Sequence, residues 1–259
     1  MITRYGRYAF PEGMRSWARN DGTALHLLTD APWRGGHETG RQSPVAGAHP
    51  LCPVDPPQIM AIGRNYRAHA KEMGSDVPSF PLLFLKAVSS LIGPGETVLL
   101  PPESSRVEHE GELGVIIGRG GRRIPEADAM RHVFGYTVLC DVTARDLQKS
   151  DGQWSRAKGF DTFCPVGPEI VTGIDPAALG VRTLVNGAVR QDGNTRDMVF
   201  PVAHLVSHLS QAMTLEAGDL IATGTPEGVG PLADGDTLVV EIENVGKLEV
   251  RVRREPSKA

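Results

Sequence analysis

From residue 58 onward the chain is built of short apolar runs separated by glycine, proline and charged residues. "QIMAIG", "LGVIIG", "HVFGYTVLCDV", "DLIATG", "TLVVEIE" and "KLEVRVR" each have strand length and end at turn-forming residues. "LGVIIG" and "HVFGYTVLCDV" are apolar on both faces, which predicts central strands covered on both sides. "PLLFLKAVSSLIGPGETVLLPP" reads as strand, turn, strand, and "NVG" joins the last two strands as a hairpin. Three segments have helical character. "GRNYRAHAKEMG" predicts a helix capped by Asn65 and closed by Gly74; "TARDLQKS" carries a capping-box spacing from Thr143 to Asp146 and predicts a helix beginning just after Asp141; "PVAHLVSHLSQAM" is amphipathic.

Residues 1–57 differ in texture. Two short strands, "TRYGRYAF" and "TALHLL", precede a Gly- and Pro-punctuated run ending in a proline cluster, which places a boundary between a small β-containing unit, 1–57, and a larger β-rich one, 58–259. With 30 Gly and 20 Pro in 259 residues, short strands should outnumber long helices.

Composition narrows the function classes. A net charge of -4 and the absence of a basic run argue against nucleic acid or an anionic membrane as a partner. Cys52, Cys140 and Cys164 are odd in number and widely spaced, as expected of reduced thiols in a cytoplasmic protein. No segment approaches the roughly 20 apolar residues of a membrane span, and the N-terminus lacks the apolar core of a signal peptide.

Against this ordinary background, "RVEHEGELGVIIG" stands out. In a strand Glu108, Glu110 and Glu112 share one face. Two carboxylates ~4 Å apart repel by about 4 kcal/mol at an effective dielectric near 20, so the row needs a cation, a proton or solvent. Exposure as a solvated edge is the plainer alternative. Asp141, at the end of the apolar strand "YTVLCD", either caps the following helix and pairs with Arg145 or joins the glutamates. Carboxylates without a Cys or His cluster suit a hard cation such as Mg²⁺ or Mn²⁺ and disfavour zinc. In the helix after Asp141, Arg145 and Gln148 share that residue's face. His69 and Glu72 are spaced so that a carboxylate can orient an imidazole as general base. Lys158 lies in the loop "AKGFDTFCPVGP" between aromatics, where it could hold an anionic substrate or enolate, and "IATGTPEGVG" offers backbone N–H groups and the Thr225 hydroxyl to a carboxylate.

In this order, "GRNYRAHAKEMG", "PLLFLKAVSSLIGPG", "HEGELGVIIG", "GYTVLCDVTARDLQ", "AKGFDTFCPVGP" and "IATGTPEGVG" resemble the fumarylacetoacetate hydrolase family from about residue 58 to the C-terminus, the first 57 residues resembling the small N-terminal extension of bacterial members. The resemblance implies a mixed α/β, β-rich fold with a β-roll catalytic domain, and a homodimer. It implies Glu110, Glu112 and Asp141 as ligands of Mg²⁺ or Mn²⁺, with Ca²⁺ as a substitute in crystals, and leaves Glu108 an outer or solvated residue. It makes "GRNYRAHAKE" a lid carrying His69 and Glu72, with Arg64 and Tyr66 toward substrate, Lys158 as the active-site lysine, and Arg145, Gln148 and Thr225 as polar contacts to substrate. A further acidic ligand and a longer N-terminal domain of the founding enzymes have no counterpart here, so fumarylacetoacetate is not the first expected substrate. The expected reaction is C–C hydrolysis of a 2,4-dioxo acid through a pyruvate enolate. Isomerisation of a 5-carboxymethyl-2-hydroxymuconate or 2-hydroxyhepta-2,4-diene-1,7-dioate type diacid ranks second and oxaloacetate decarboxylation third; a small-acid-binding domain without catalysis is the rival from another class.

Overall fold

The structure, a computed structural model, describes residues 1–256. Ten strands form the path of its main sheet, in the spatial order Glu38–Pro44, Ala24–Leu28, Arg15–Asn20, Thr3–Ala9, Cys164–Thr172, Val133–Cys140, Gly111–Ile117, Leu220–Ala222, Ile59–Gly63 and Leu82–Lys86; two shorter strands pair off this path. A five-stranded sheet, Ala188–Asn194, Gly180–Val185, Thr237–Ile242, Gly246–Arg254 and Thr97–Leu100, covers one face of its centre.

The apolar runs fold as strands because both their faces are covered. Leu113, Val115 and Ile117 pack with Val181, Leu238, Val240 and Leu248 of the smaller sheet, while Ile116 turns to the opposite face with Leu139, Ile170 and Trp33. Val133–Cys140 lies between Gly111–Ile117 and Cys164–Thr172, central as its composition predicts. The amphipathic helix forms over Val202–Ala212, burying Leu205, Val206 and Leu209.

Residues before 58 hold a small apolar cluster of their own, Tyr8, Phe10, Ala18, Leu25 and Leu27. Their strands nonetheless extend the main sheet, through Thr3–Ala9 pairing antiparallel with Cys164–Thr172. The Gly- and Pro-punctuated run also contains a strand, Glu38–Pro44, that its turn residues conceal.

Two predicted helix starts are displaced. Asn65 is buried rather than a cap: its Nδ2 donates to the carbonyls of Phe200 and Thr223 and its Oδ1 accepts from the Phe200 amide, so the helix begins only at Arg67 and runs to Glu72. The helix after Asp141 begins at Arg145, with no capping box, because Thr143 and Ala144 pair with Val107–His109 and the Asp146 carboxylate is drawn away to Ser104 and Ser105. No helix among the described residues is long and apolar enough to cross a membrane.

Candidate metal centre

Glu110 and Glu112 flank Gly111 where one strand enters the sheet, and Asp141 follows Cys140 where its neighbour leaves it. The Asp141 amide donates to the Glu110 carbonyl at 2.8 Å, and Gly111 lies opposite Cys140, so ladder register alone brings the three carboxylates together. One oxygen from each lies within 4.8 Å of the other two, and all three residues are buried.

Cations gather round two of the three. Lys158 Nζ donates to Glu110 Oε2 at 2.7 Å and to Asp141 Oδ2 at 2.6 Å. Lys86 Nζ reaches Asp141 Oδ1 at 2.7 Å and also donates to the Lys158 carbonyl. Arg145 donates from Nη2 to Glu110 Oε1 and from Nε to Glu108 Oε2, the latter at 2.6 Å. Glu112 has a single backbone donor, Gly224 N–H at 2.8 Å, and among the described residues no Lys or Arg pairs with it. Four buried carboxylates thus face three buried cations.

The titration shifts follow this imbalance. Burial alone would raise the Glu110 carboxyl, but Lys158 and Arg145 outweigh it and hold that group below the ordinary carboxylate range. Burial, reinforced by Asp141 and Glu110, pushes Glu112 well above the ordinary range. For Lys158, burial opposes the charge, and Asp141 and Glu110 reverse the balance and raise its ammonium. The donor set fits a hard divalent cation: three carboxylates, no soft ligand, and one carboxylate short of a positive partner.

Glu110 and Glu112 line a cavity of about 220 Å³ whose wall also includes His69, Arg64, Arg145, Gln148, Trp154, Lys158 and Thr225. His69 is buried and its Nδ1 lies 3.1 Å from Glu72 Oε2; the other Glu72 oxygen accepts the Gly228 amide hydrogen at 3.0 Å. The dyad read from sequence spacing is therefore assembled, with its carboxylate anchored to the loop after Leu220–Ala222. Arg64 adopts φ 57, in the left-handed region few non-glycine residues enter, and its guanidinium lies 6.0 Å from the Trp154 ring centroid at the same cavity.

Several expectations change. Glu108 is not outer or solvated: it is 1% exposed and bound by Arg106 and Arg145, so the whole glutamate row is buried. Asp141 neither caps a helix nor pairs with Arg145; the two lysines take it. Arg145, expected to contact substrate, lines the same cavity as His69, and it also donates from Nε, Nη1 and Nη2 to Glu108, Gln148 and Glu110, so it orders the carboxylates as well. Lys158 sits not in a loop but on the short helix Ser155–Gly159. Tyr66 does not line the cavity with His69; it borders a separate one with Arg67, Arg196, Asp197 and Glu227. Thr225 lines the expected cavity, though its hydroxyl already donates to the Gly111 carbonyl at 2.9 Å.

Lys86 and Gln191 are absent from the sequence reading. Lys86 closes the apolar strand "LLFLK", and a charge ending an apolar strand was the available signal. Gln191 lies among exposed neighbours in Ala188–Asn194 and carried none.

The chain is similar to several known proteins. The family model for the fumarylacetoacetate hydrolase C-terminal region matches residues 58–253. Oxaloacetate tautomerase YisK of Bacillus subtilis is 45% identical over 217 residues, covering 79% of this chain and 72% of that protein. The crystal structure of 2-hydroxyhepta-2,4-diene-1,7-dioate isomerase from Mycobacterium marinum superposes with a TM-score of 0.91 at 42% identity, covering 98% of this chain and 100% of its own. A fumarylacetoacetate hydrolase from Exiguobacterium antarcticum gives a TM-score of 0.87 at 36% identity over 98% of this chain and 100% of its own.

Proposed function

The chain belongs to the fumarylacetoacetate hydrolase family, and from that premise we propose that it is a divalent-metal-dependent enzyme that moves a proton on a short 2-oxo dicarboxylate, interconverting its keto and enol forms. Glu110, Glu112 and Asp141 would hold Mg²⁺ or Mn²⁺. When bound, the ion supplies a Lewis acid for the 2-oxo acid oxygens and stabilises enolate charge.

The residues of the chain supply the rest. Glu72 engages His69 Nδ1 and leaves Nε2 as the base that removes a proton from C3 of the substrate, and the same carboxylate stabilises the imidazolium that forms. Lys158 places a fixed positive charge beside the developing enolate. Arg64, with no carboxylate partner among the described residues, is placed to receive the substrate's second carboxylate. The observation that carries the reading is that the held imidazole and the under-neutralised carboxylates share one small cavity. Its about 220 Å³ falls below the roughly 300 Å³ where drug-sized pockets begin, which favours a short diacid over a longer one.

C–C hydrolysis is the second reading, supported by the same dyad, which could deprotonate a water instead of carbon. The two separate in one assay with Mg²⁺- or Mn²⁺-loaded protein. Faster enol decay of oxaloacetate, with total oxaloacetate conserved, supports proton transfer. Cleavage of acylpyruvates with no effect on oxaloacetate would replace it by hydrolysis, and loss of oxaloacetate to pyruvate would replace it by decarboxylation.

A further inference from the structure

Gln191 reaches the centre from behind. It lies in Ala188–Asn194 of the smaller sheet, is 0% exposed, and borders neither the cavity nor any carboxylate. Its Oε1 accepts the Gly111 amide hydrogen at 2.9 Å and lies 3.2 Å from His109 Nδ1; its Nε2 donates to Thr225 Oγ1 at 2.7 Å and to the Pro226 carbonyl at 2.8 Å. The amide's orientation is fixed, since the Gly111 N–H can only donate and the Pro226 carbonyl can only accept. All of its hydrogen-bonding capacity is used.

What these bonds hold is the frame of the centre. Gly111 separates Glu110 from Glu112, and it is gripped at both ends: its N–H by Gln191 and its carbonyl by the Thr225 hydroxyl that Gln191 itself orients. Its α-carbon is pressed so closely to the smaller sheet that an added Cβ would lie 2.2 Å from Thr183 Oγ1. Pro226 lies between Gly224, whose amide holds Glu112, and Gly228, whose amide holds Glu72. The same loop is braced on the strand carrying Gln191: a Cβ on Gly193 would meet Pro226 Cβ at 2.4 Å, and one on Gly228 would meet the Arg190 carbonyl at 2.1 Å.

We propose that Gln191 is a positioning residue that sets the separation of Glu110 and Glu112 for the cation and fixes the loop that ties that centre to the His69–Glu72 dyad. This rests on the reading of Glu110, Glu112 and Asp141 as metal ligands. Gln191 touches neither metal nor substrate and acts through Gly111, Thr225 and Pro226.

The test is Mn²⁺ binding to the full-length chain, read by titration calorimetry and by the free-Mn²⁺ electron paramagnetic resonance signal. Gln191→Met keeps the length of the side chain and removes its hydrogen bonds; it should weaken Mn²⁺ at least about tenfold, as loss of a residue orienting metal ligands does. Thr183→Val changes the neighbour packed on the same glycine without removing a hydrogen bond, and should leave the isotherm as in the wild type. A wild-type isotherm for Gln191→Met, or equal weakening by Thr183→Val, overturns the proposal. Should Gln191→Met not fold, Thr225→Val is read in its place: weaker Mn²⁺ binding supports the proposal and an unaltered isotherm overturns it. Failure of the wild-type chain to bind Mn²⁺ overturns the metal reading and this one with it, whereas wild-type binding with an insensitive Gln191→Met overturns this one alone.

Discussion

Lys86 Nζ donates to Asp141 Oδ1 at 2.7 Å with 0% and 1% of the two side chains exposed. The two residues come from distant strands, so the main sheet must curl for its last strand, Leu82–Lys86, to meet the end of Val133–Cys140. Removing one member of a buried pair costs about 3–5 kcal/mol when the other charge is left alone, but Lys158 still holds Asp141, so the loss of Lys86 should cost roughly 1.5–3 kcal/mol, that of one hydrogen bond to a charged group. Lys86→Met should therefore lower the metal-free unfolding free energy by that order in a denaturant titration, and adding Asp141→Asn should recover part of it. Equal stability of Lys86→Met and wild type would show that the pair is not formed.

His69→Ala should reduce turnover of the 2-oxo acid by roughly 10²–10⁴-fold, the range for a general base. Mn²⁺ affinity should be retained, because no bond in the structure links His69 to a carboxylate of the centre. Undiminished turnover, measured with metal saturating, would remove His69 from the mechanism.

Glu112 is the carboxylate with no cationic partner. Glu112→Gln keeps an acceptor for the Gly224 amide and removes a carboxyl whose ionisation the folded state opposes, so in EDTA at neutral pH the variant should be more stable than wild type by roughly 1–3 kcal/mol. Mn²⁺ should stabilise wild type and do little for the variant. Thermal scans with and without Mn²⁺ read both effects, and a variant less stable in EDTA would contradict the charge count.

Arg64 meets the substrate only through charge, on the proposed reading. Arg64→Leu should raise KM for a dicarboxylate about tenfold while kcat changes little, and should hardly affect a monocarboxylate 2-oxo acid. A loss confined to kcat would place the guanidinium at the reacting atoms instead.

Asp146 provides a pH-dependent brace outside the centre. Its partial burial works to raise the carboxyl, but the Ser104 hydroxyl and the Ser105 amide and hydroxyl outweigh burial and bring it down to about 2 from the ordinary 3.8. A carboxyl lowered by folding stabilises the fold above its unfolded value, and that contribution is lost as pH falls through the folded one. Wild type should therefore lose more stability than Asp146→Asn between about pH 4 and pH 2 in acid unfolding; parallel curves would show that the carboxylate's charge is not what the brace uses.

Much of this was legible in the sequence because strand parity and ladder register are local rules. Parity put Glu110 and Glu112 on one face, an apolar strand delivered Asp141 to the same end, and helical spacing joined His69 to Glu72. The failures are of another kind. Parity could not reveal that Glu108 is buried, because the neutralising Arg145 arrives from another segment. Thr143 to Asp146 has capping spacing, yet Ser104 and Ser105 compete successfully for the same carboxylate. Gln191 acts across sheets and Lys86 across the curl of one, and neither residue's neighbours in the chain record which distant partners it meets. Tyr66 stands next to the helix that carries His69, but it borders a different cavity, which adjacency in the chain does not reveal.

The pairing of Thr3, Arg4 and Tyr5 with Thr172, Val171 and Ile170 has a consequence for handling the protein. Ile170 and Val171 are wholly buried, and Val171 also pairs on its other side with Tyr136 of a central strand. A chain trimmed to begin near residue 58 would bare this β-branched edge in the middle of the sheet, an open template for strands of other molecules. Such a fragment should self-associate, even with every residue of the proposed centre in place.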